Sequence, residues 1–344
     1  MTIARAELID TDITRWYHCV LRCVRGASLL GEGDFDRKQW IENQLEELTQ
    51  KFAISIAGFA ILDNQVHLLA RLDTDVVESW SDEEVVLRWG RVIPPRDEKR
   101  RVLAPTQEWA RGRLREGTVV ATARERLASI SWFMKCLKEP LSRLANRRDG
   151  TRGSFFEGRF RSVAILDDKA LLATCASIDL IPVVEGLALV PRAGSHTSIK
   201  RRIDHASAQR AATNRKVAKR GGPRVDARTV GREESAWLCP IERGRGANST
   251  REGMFEGLTL DDYVLILNYT ARFLREGEAP ISRPLKEVFA RLEIRPERWH
   301  TLLINLSSER PLGRLFSVSR ERLREVSEHF GIRLSPNLGG CPTE

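Results

Sequence analysis

Gln65 and His67 stand two positions apart in LDNQVHLL, residues 62–69. On a β-strand, side chains two apart point to the same face. Histidines at both positions would make a two-point clasp for a divalent ion. Here only the second is histidine; glutamine supplies a carbonyl oxygen at the first. Other candidates for chemistry are few. The chain has six histidines and three tyrosines, Tyr17, Tyr263 and Tyr269. Ser177 lies in an apolar helical stretch with no base beside it in the sequence, which makes it a poor nucleophile. His18 and Arg22 share one face of the WYHCVLRCV segment at 16–24, and Arg159 and Arg161 stand in EGRFRS.

These residues need a sheet to gather them. WYHCVLRCV alternates, with Tyr17, Cys19, Leu21 and Cys23 on an apolar face and His18, Val20 and Arg22 opposite. ISIAGFAIL, 54–62, is apolar throughout, as a buried strand is. Asp63-Asn64 then makes a tight turn into a strand whose face carries Gln65, His67, Leu69 and Arg71. Helices are expected over about 36–52, about 121–147 with Pro140 inside, and 169–181, where Pro182 ends the last. Residues 75–118 form a helical insertion rich in charge and tryptophan, with PPR at 94–96.

The balance of 56 Lys and Arg against 47 Asp and Glu gives a net charge of +9, which suits an acidic partner, nucleic acid first. There is no apolar run long enough to span a bilayer and no apolar signal core, so no membrane partner is expected. The six cysteines form no paired CxxC set, which excludes a zinc ribbon or disulfide scaffold and places the protein in a reducing, cytoplasmic setting. From Lys200 to Arg224, nine cations face one acid, and Gly, Arg and Ser continue to about Gly257. This reads as a basic flexible linker over 206–257, followed by a small helical region over 258–335.

In order along the chain, these segments resemble the single-tyrosine HUH transposases, including the REP-associated type. Tyr17, His18 and Arg22 are similar to that family's opening strand, and Asn64 to Leu69 to its metal strand. Phe156-Glu157-Gly158-Arg159-Phe160 matches its Trp-(Gln/Glu)-Gly-Arg-Phe stretch with Phe for Trp. Ser177 to Gly186 fall in the frame of its catalytic helix, Tyr-x-x-x-Asn-Pro-(Val/Ile)-Arg-Ala-Gly. SISWFMK at 129–135 and TSIKRRI at 197–203 also look like one branch of the family.

The resemblance implies an α+β domain over 10–205, a central antiparallel sheet with helices on one face in a ferredoxin-like arrangement. It also implies single-stranded or hairpin DNA as partner, a possible homodimer, and a Mg or Mn ion that polarises a scissile phosphate for attack by tyrosine. Three of the four positions that would run this chemistry have changed. Gln65 replaces a histidine, Ser177 the tyrosine, and Ile181 the Asn ligand, so metal binding at Gln65 and His67 is expected to be weak or vestigial. The expected DNA contacts are His18, Arg22, Arg71, Arg159, Arg161, Lys200, Arg201 and Arg202. The foremost expectation is a transposase-like DNA-binding protein that has lost cleavage. The alternatives are an active transposase with a remodelled site and an interaction module that does not touch DNA.

Overall fold

The computed structural model describes residues 9–31, 33–219, 237–243, 251–307 and 314–332. Five strands form one sheet in the order β2-β3-β1-β4-β5: β1 (Trp16–Arg22), β2 (Ile54–Ile61), β3 (Gln65–Leu72), β4 (Arg161–Ile165) and β5 (Leu315–Phe316). The first four pair antiparallel, and β5 runs parallel to β4. β2 is buried at all eight positions, as its uninterrupted apolar sequence requires, and the Asp63-Asn64 turn closes the β2–β3 hairpin. The α+β class and the antiparallel centre are those expected from the sequence.

The first sheet face carries Tyr17, Cys19, Leu21, Val66, Leu68 and Ala70, all buried. Two helices cover it, α1 (Arg37–Lys51), capped by Asp36, and α6 (Ile130–Arg148), whose stripe of Phe133, Met134, Leu137 and Leu141 enters the same core. Pro140 sits inside a continuous α6. The insertion consists of α2 (Thr74–Ser79), α3 (Asp82–Val92), α4 (Gln107–Leu114) and α5 (Val119–Leu127), with Ser81 and Thr106 as side-chain caps.

The second face is divided. α7 (Asp168–Val184) lies over β2 and β3 and closes a second core with Ala57, Ala60, Leu69, Val163 and Ile165. It runs past Pro182, because a proline in the last turn removes one hydrogen bond near the helix end. The end of this face formed by Val20, Arg22, Gln65, His67 and Arg161 holds no fully buried side chain and remains open.

The stretch expected as a linker over 206–257 differs in its described part. α8 (Ser198–Lys219) is one continuous helix, in which Ile199, Arg202 and Ala206 recur at helical spacing and are buried. Residues 237–243 add to the edge of β2: Cys239 N–H donates to Ile56 O at 2.8 Å, and Trp237 stacks on Phe59. Arg251 donates to Thr49 O at 2.9 Å. Residues 220–236 and 244–250 of the expected linker lie outside the described residues.

The C-terminal helices are α9 (Leu260–Glu276), α10 (Arg283–Arg291), α11 (Pro296–Ser307) and α12 (Arg320–His329). Thr259 and Asp262 form a reciprocal cap at the start of α9, and Gly277 ends it in the left-handed region that glycine tolerates. α9 and α11 pack on α7, and Leu323 and Val326 of α12 join the first core. This region therefore lines both cores.

Candidate nucleic-acid interface

Strand alternation puts His18 and His67 on the second face, and the register makes them diagonal neighbours, since Val20 faces His67 and His18 faces Leu69. Their rings stack 5.3 Å apart, and His18 Nε2 lies 3.1 Å from His67 Nδ1. Burial pushes the His18 pKa down to about 4, with the Arg161 charge adding to it. Burial, then His18, Arg22 and Arg161, hold His67 well below the ordinary imidazole range. Both rings are therefore neutral at pH 7. Two neutral imidazoles carry two ring protons, and one of these sits in the shared bond. Whichever tautomer holds, one N–H and one lone pair remain, on His18 Nδ1 and His67 Nε2. Both atoms are buried without a hydrogen-bond partner.

Arg22 ends β1 directly opposite Gln65, and Arg161 begins β4 opposite Val20. Both arginines are exposed, and Gln65 is half-buried. Arg159 is exposed on the preceding loop, which is fastened to the end of β1. Glu157 N–H donates to Arg22 O at 2.8 Å, and Val24 N–H to Phe155 O at 3.1 Å. Phe155, Phe156 and Phe160 are buried anchors of that loop, so the apolar positions of FFEGRF fix the backbone while its arginines face water. Two cations, Arg22 and Arg161, thus stand beside a neutral imidazole pair, with Arg159 exposed on the loop that leads into β4. Like charges in such proximity suit an anion, and the Arg22 charge already depresses the Arg161 pKa, after burial.

Several expected contacts fall elsewhere. His18 is only 6% exposed and is committed to His67. Arg71 points to the same face but at its covered end. It is buried, donates to Asp73 at 2.6 Å and to Glu252 O at 2.9 Å, and lies over Trp16. Arg202 is fully buried and donates to Ala57 O at 2.7 Å. None of the three is placed to meet DNA. Lys200 and Arg201 lie in the first turn of α8, beside edge strand β2, and pair with Asp204 at 3.0 Å and with Glu42 at 3.3 Å.

The positions expected for catalysis are engaged locally. The Ser177 hydroxyl donates to Thr174 O of its own helix at 2.9 Å. Ile181 packs against the second core. Among the described residues, no hydrogen bond joins Ser177 to Gln65 or His67. Tyr263 is fully buried and donates to Asp179 Oδ2 at 2.7 Å, and burial raises its pKa well above the phenol value. Tyr269 packs edge-on to Phe289, and the Tyr17 hydroxyl donates to Thr14 O at 3.1 Å.

A divalent ion does not fit this site. Among the described residues, no three His, Cys, Asp or Glu side chains gather as ligands. The His18–His67 bond leaves the two rings with one lone pair, Ile181 has none, and the nearby guanidinium charges would repel a dication.

The main polar centre that sequence reasoning missed is Asp179 on α7. It is fully buried and accepts from Ser198 Oγ at 2.5 Å, Ile199 N at 2.9 Å and Tyr263 OH. Burial raises its pKa, and these bonds together with the Arg202 charge oppose the rise. The signal was present: a lone acid inside LLATCASIDLIPVV must be buried with partners.

No protein-family model matches the chain, and no curated protein matches it. Among solved structures, a REP-associated tyrosine transposase bound to a REP hairpin is similar at a TM-score of 0.33 and 11% identity, over 55% of this chain and 78% of that one. This is a distant structural relationship. No helix among the described residues is long and apolar enough to cross a membrane.

Proposed function

We propose that this chain is a transposase-like nucleic-acid-binding protein that grips single-stranded or hairpin DNA at the open end of its sheet and does not cut it. The observation that carries this reading is the placement of Arg22 and Arg161 beside the His18–His67 pair, on the part of the second face that α7 leaves uncovered. Guanidinium groups on a rigid sheet suit phosphate oxygens. The motif order in the sequence supports DNA over other polyanions. Loss of cleavage is supported by Ser177, whose hydroxyl is turned into its own helix, and by tyrosines that are buried and hydrogen-bonded or packed elsewhere. Without a fitting ion site, binding is independent of divalent cations.

The test is fluorescence anisotropy on a labelled hairpin oligonucleotide at three salt concentrations, with Mg²⁺ and with EDTA. Wild-type binding should weaken steeply with salt and ignore EDTA. Arg22→Ala/Arg161→Ala should weaken it by at least ~10-fold and flatten the log–log salt slope by about 1.5 to 2, the loss of two phosphate contacts. Wild-type protein that fails to bind, or a double variant that binds like wild type, would refute the proposal.

A further inference from the structure

The basic stretch around PPR, residues 91–103, plays no part in the site above. It holds five cations, Arg91, Arg96, Lys99, Arg100 and Arg101, against two carboxylates, and all five cations are exposed. Arg91 stands in the last turn of α3, and residues 95–103 form an ordered hairpin just beyond it. Arg96 bridges Val102 antiparallel, Asp97 N–H donates to Arg101 O at 3.0 Å, and Leu103 N–H to Pro95 O at 2.9 Å. Arg100 turns the tip with φ +60°, and the Arg101 N–H donates to Asp97 Oδ1 at 2.7 Å. The base is clamped at Gly90, where an added Cβ would lie 2.6 Å from the Trp109 ring and 2.8 Å from Pro105. On this stiff support, three aliphatic side chains stand in water: Ile93 at 49% exposure, Val102 at 61% and Leu103 at 45%. Arg91, Lys99 and Arg100 make no ion pair among the described residues.

We propose that this hairpin is a second nucleic-acid contact, its guanidinium groups holding phosphates while Ile93, Val102 and Leu103 press against exposed base faces. It rests on the reading that the chain binds nucleic acid, and adds a site that the sheet does not provide. Four of the five cations are arginines, whose planar forks match phosphate and base edges better than an ammonium does. Aliphatic wedges beside such arginines are a recurring way to engage unstacked bases. Three aliphatics are few for anchoring in a lipid surface, which needs a larger buried apolar face. The insertion leaves the sheet after Leu72, at the end of β3 away from Gln65. At ~3.3 Å per residue, those ends of β3 are roughly 23 Å apart, so the insertion departs from the far end of the strand that carries His67.

The test uses the full chain and a hairpin DNA of about 30 nucleotides with a single-stranded tail. Arg91→Ala/Lys99→Ala/Arg100→Asn keeps a residue that tolerates positive φ at the tip. It should weaken binding ~10-fold at moderate salt and lower the salt slope by about 2. Ile93→Ser/Val102→Ser/Leu103→Ser should weaken binding several-fold and leave the slope unchanged. Circular dichroism confirms that both variants fold. If both bind like wild type while Arg22→Ala/Arg161→Ala loses binding, the sheet-end reading stands and the hairpin contact is refuted. Hairpin variants that bind DNA normally but lose binding to phosphatidylserine vesicles would refute it in favour of a membrane. Wild-type protein that binds no DNA at all removes both proposals.

Discussion

The two ends of the second sheet face use the same residue types to opposite ends. At the end covered by α7 and by the C-terminal layer, Arg71 is neutralised by Asp73, and Arg202 lies buried near Asp179, which also takes hydrogen bonds from Ser198 and Tyr263. Charge there is answered inside the molecule and fastens elements together. At the open end, Arg22 and Arg161 are exposed beside two imidazoles with unpartnered nitrogens. The difference separates buried arginines that hold the fold from exposed ones, although in sequence they look alike.

Substitutions should sharpen that division. The largest effect is expected for Asp179→Ala, which leaves the Ser198 hydroxyl, the Ile199 N–H and the Tyr263 hydroxyl without their buried acceptor; each orphaned donor costs ~1–3 kcal/mol, read by urea unfolding. Arg71→Ala should cost about 1–3 kcal/mol, because Asp73 and the Glu252 carbonyl lose a buried donor. Either variant should retain DNA affinity in its folded fraction. If Arg71→Ala weakened DNA binding without lowering stability, the covered end would be functional after all. Arg22→Ala should do the reverse: stability within ~0.5 kcal/mol of wild type and weaker binding.

The imidazole pair gives a pH test. His18 has a folded pKa of about 4, below its unfolded value of ~6.5. Its contribution to stability is complete above the unfolded pKa and is lost as pH falls from there through the folded pKa, because only the unfolded chain takes up the proton in that window. His67 is shifted in the same direction. His18→Gln/His67→Gln should therefore lose less in melting temperature than wild type between pH 7 and pH 5. Asp179 acts in the opposite sense but is common to both proteins, so it cancels in the difference. The smallest effect belongs to Ser177→Ala, expected within ~0.5 kcal/mol of wild type and without effect on binding.

Much of the scaffold could be read from local patterns. The period-two alternation of β1 and β3 placed His18, Gln65, His67 and Arg71 on one face, and the stripe of α6 and the β2–β3 turn followed from spacing alone. Alternation assigns a face, however, and says nothing of which end another element will cover, so Arg71 read like Arg22. The basic run after Thr197 read as a linker because its cations outnumber its apolar residues. Ile199 and Ala206, with the aliphatic stem of Arg202, were enough to dock α8. The attachment of 237–243 to β2 is long-range pairing that local sequence does not encode.

The most direct measurement mixes the purified chain with hairpin DNA and Mg²⁺ or Mn²⁺, then separates the products before and after SDS. We expect a salt-sensitive complex in native gels and no protein–DNA species surviving SDS. An SDS-resistant adduct, above all one abolished by Tyr263→Phe or Tyr269→Phe, would mean that a nucleophile still reaches the scissile phosphate and that the open end of the sheet is an active centre.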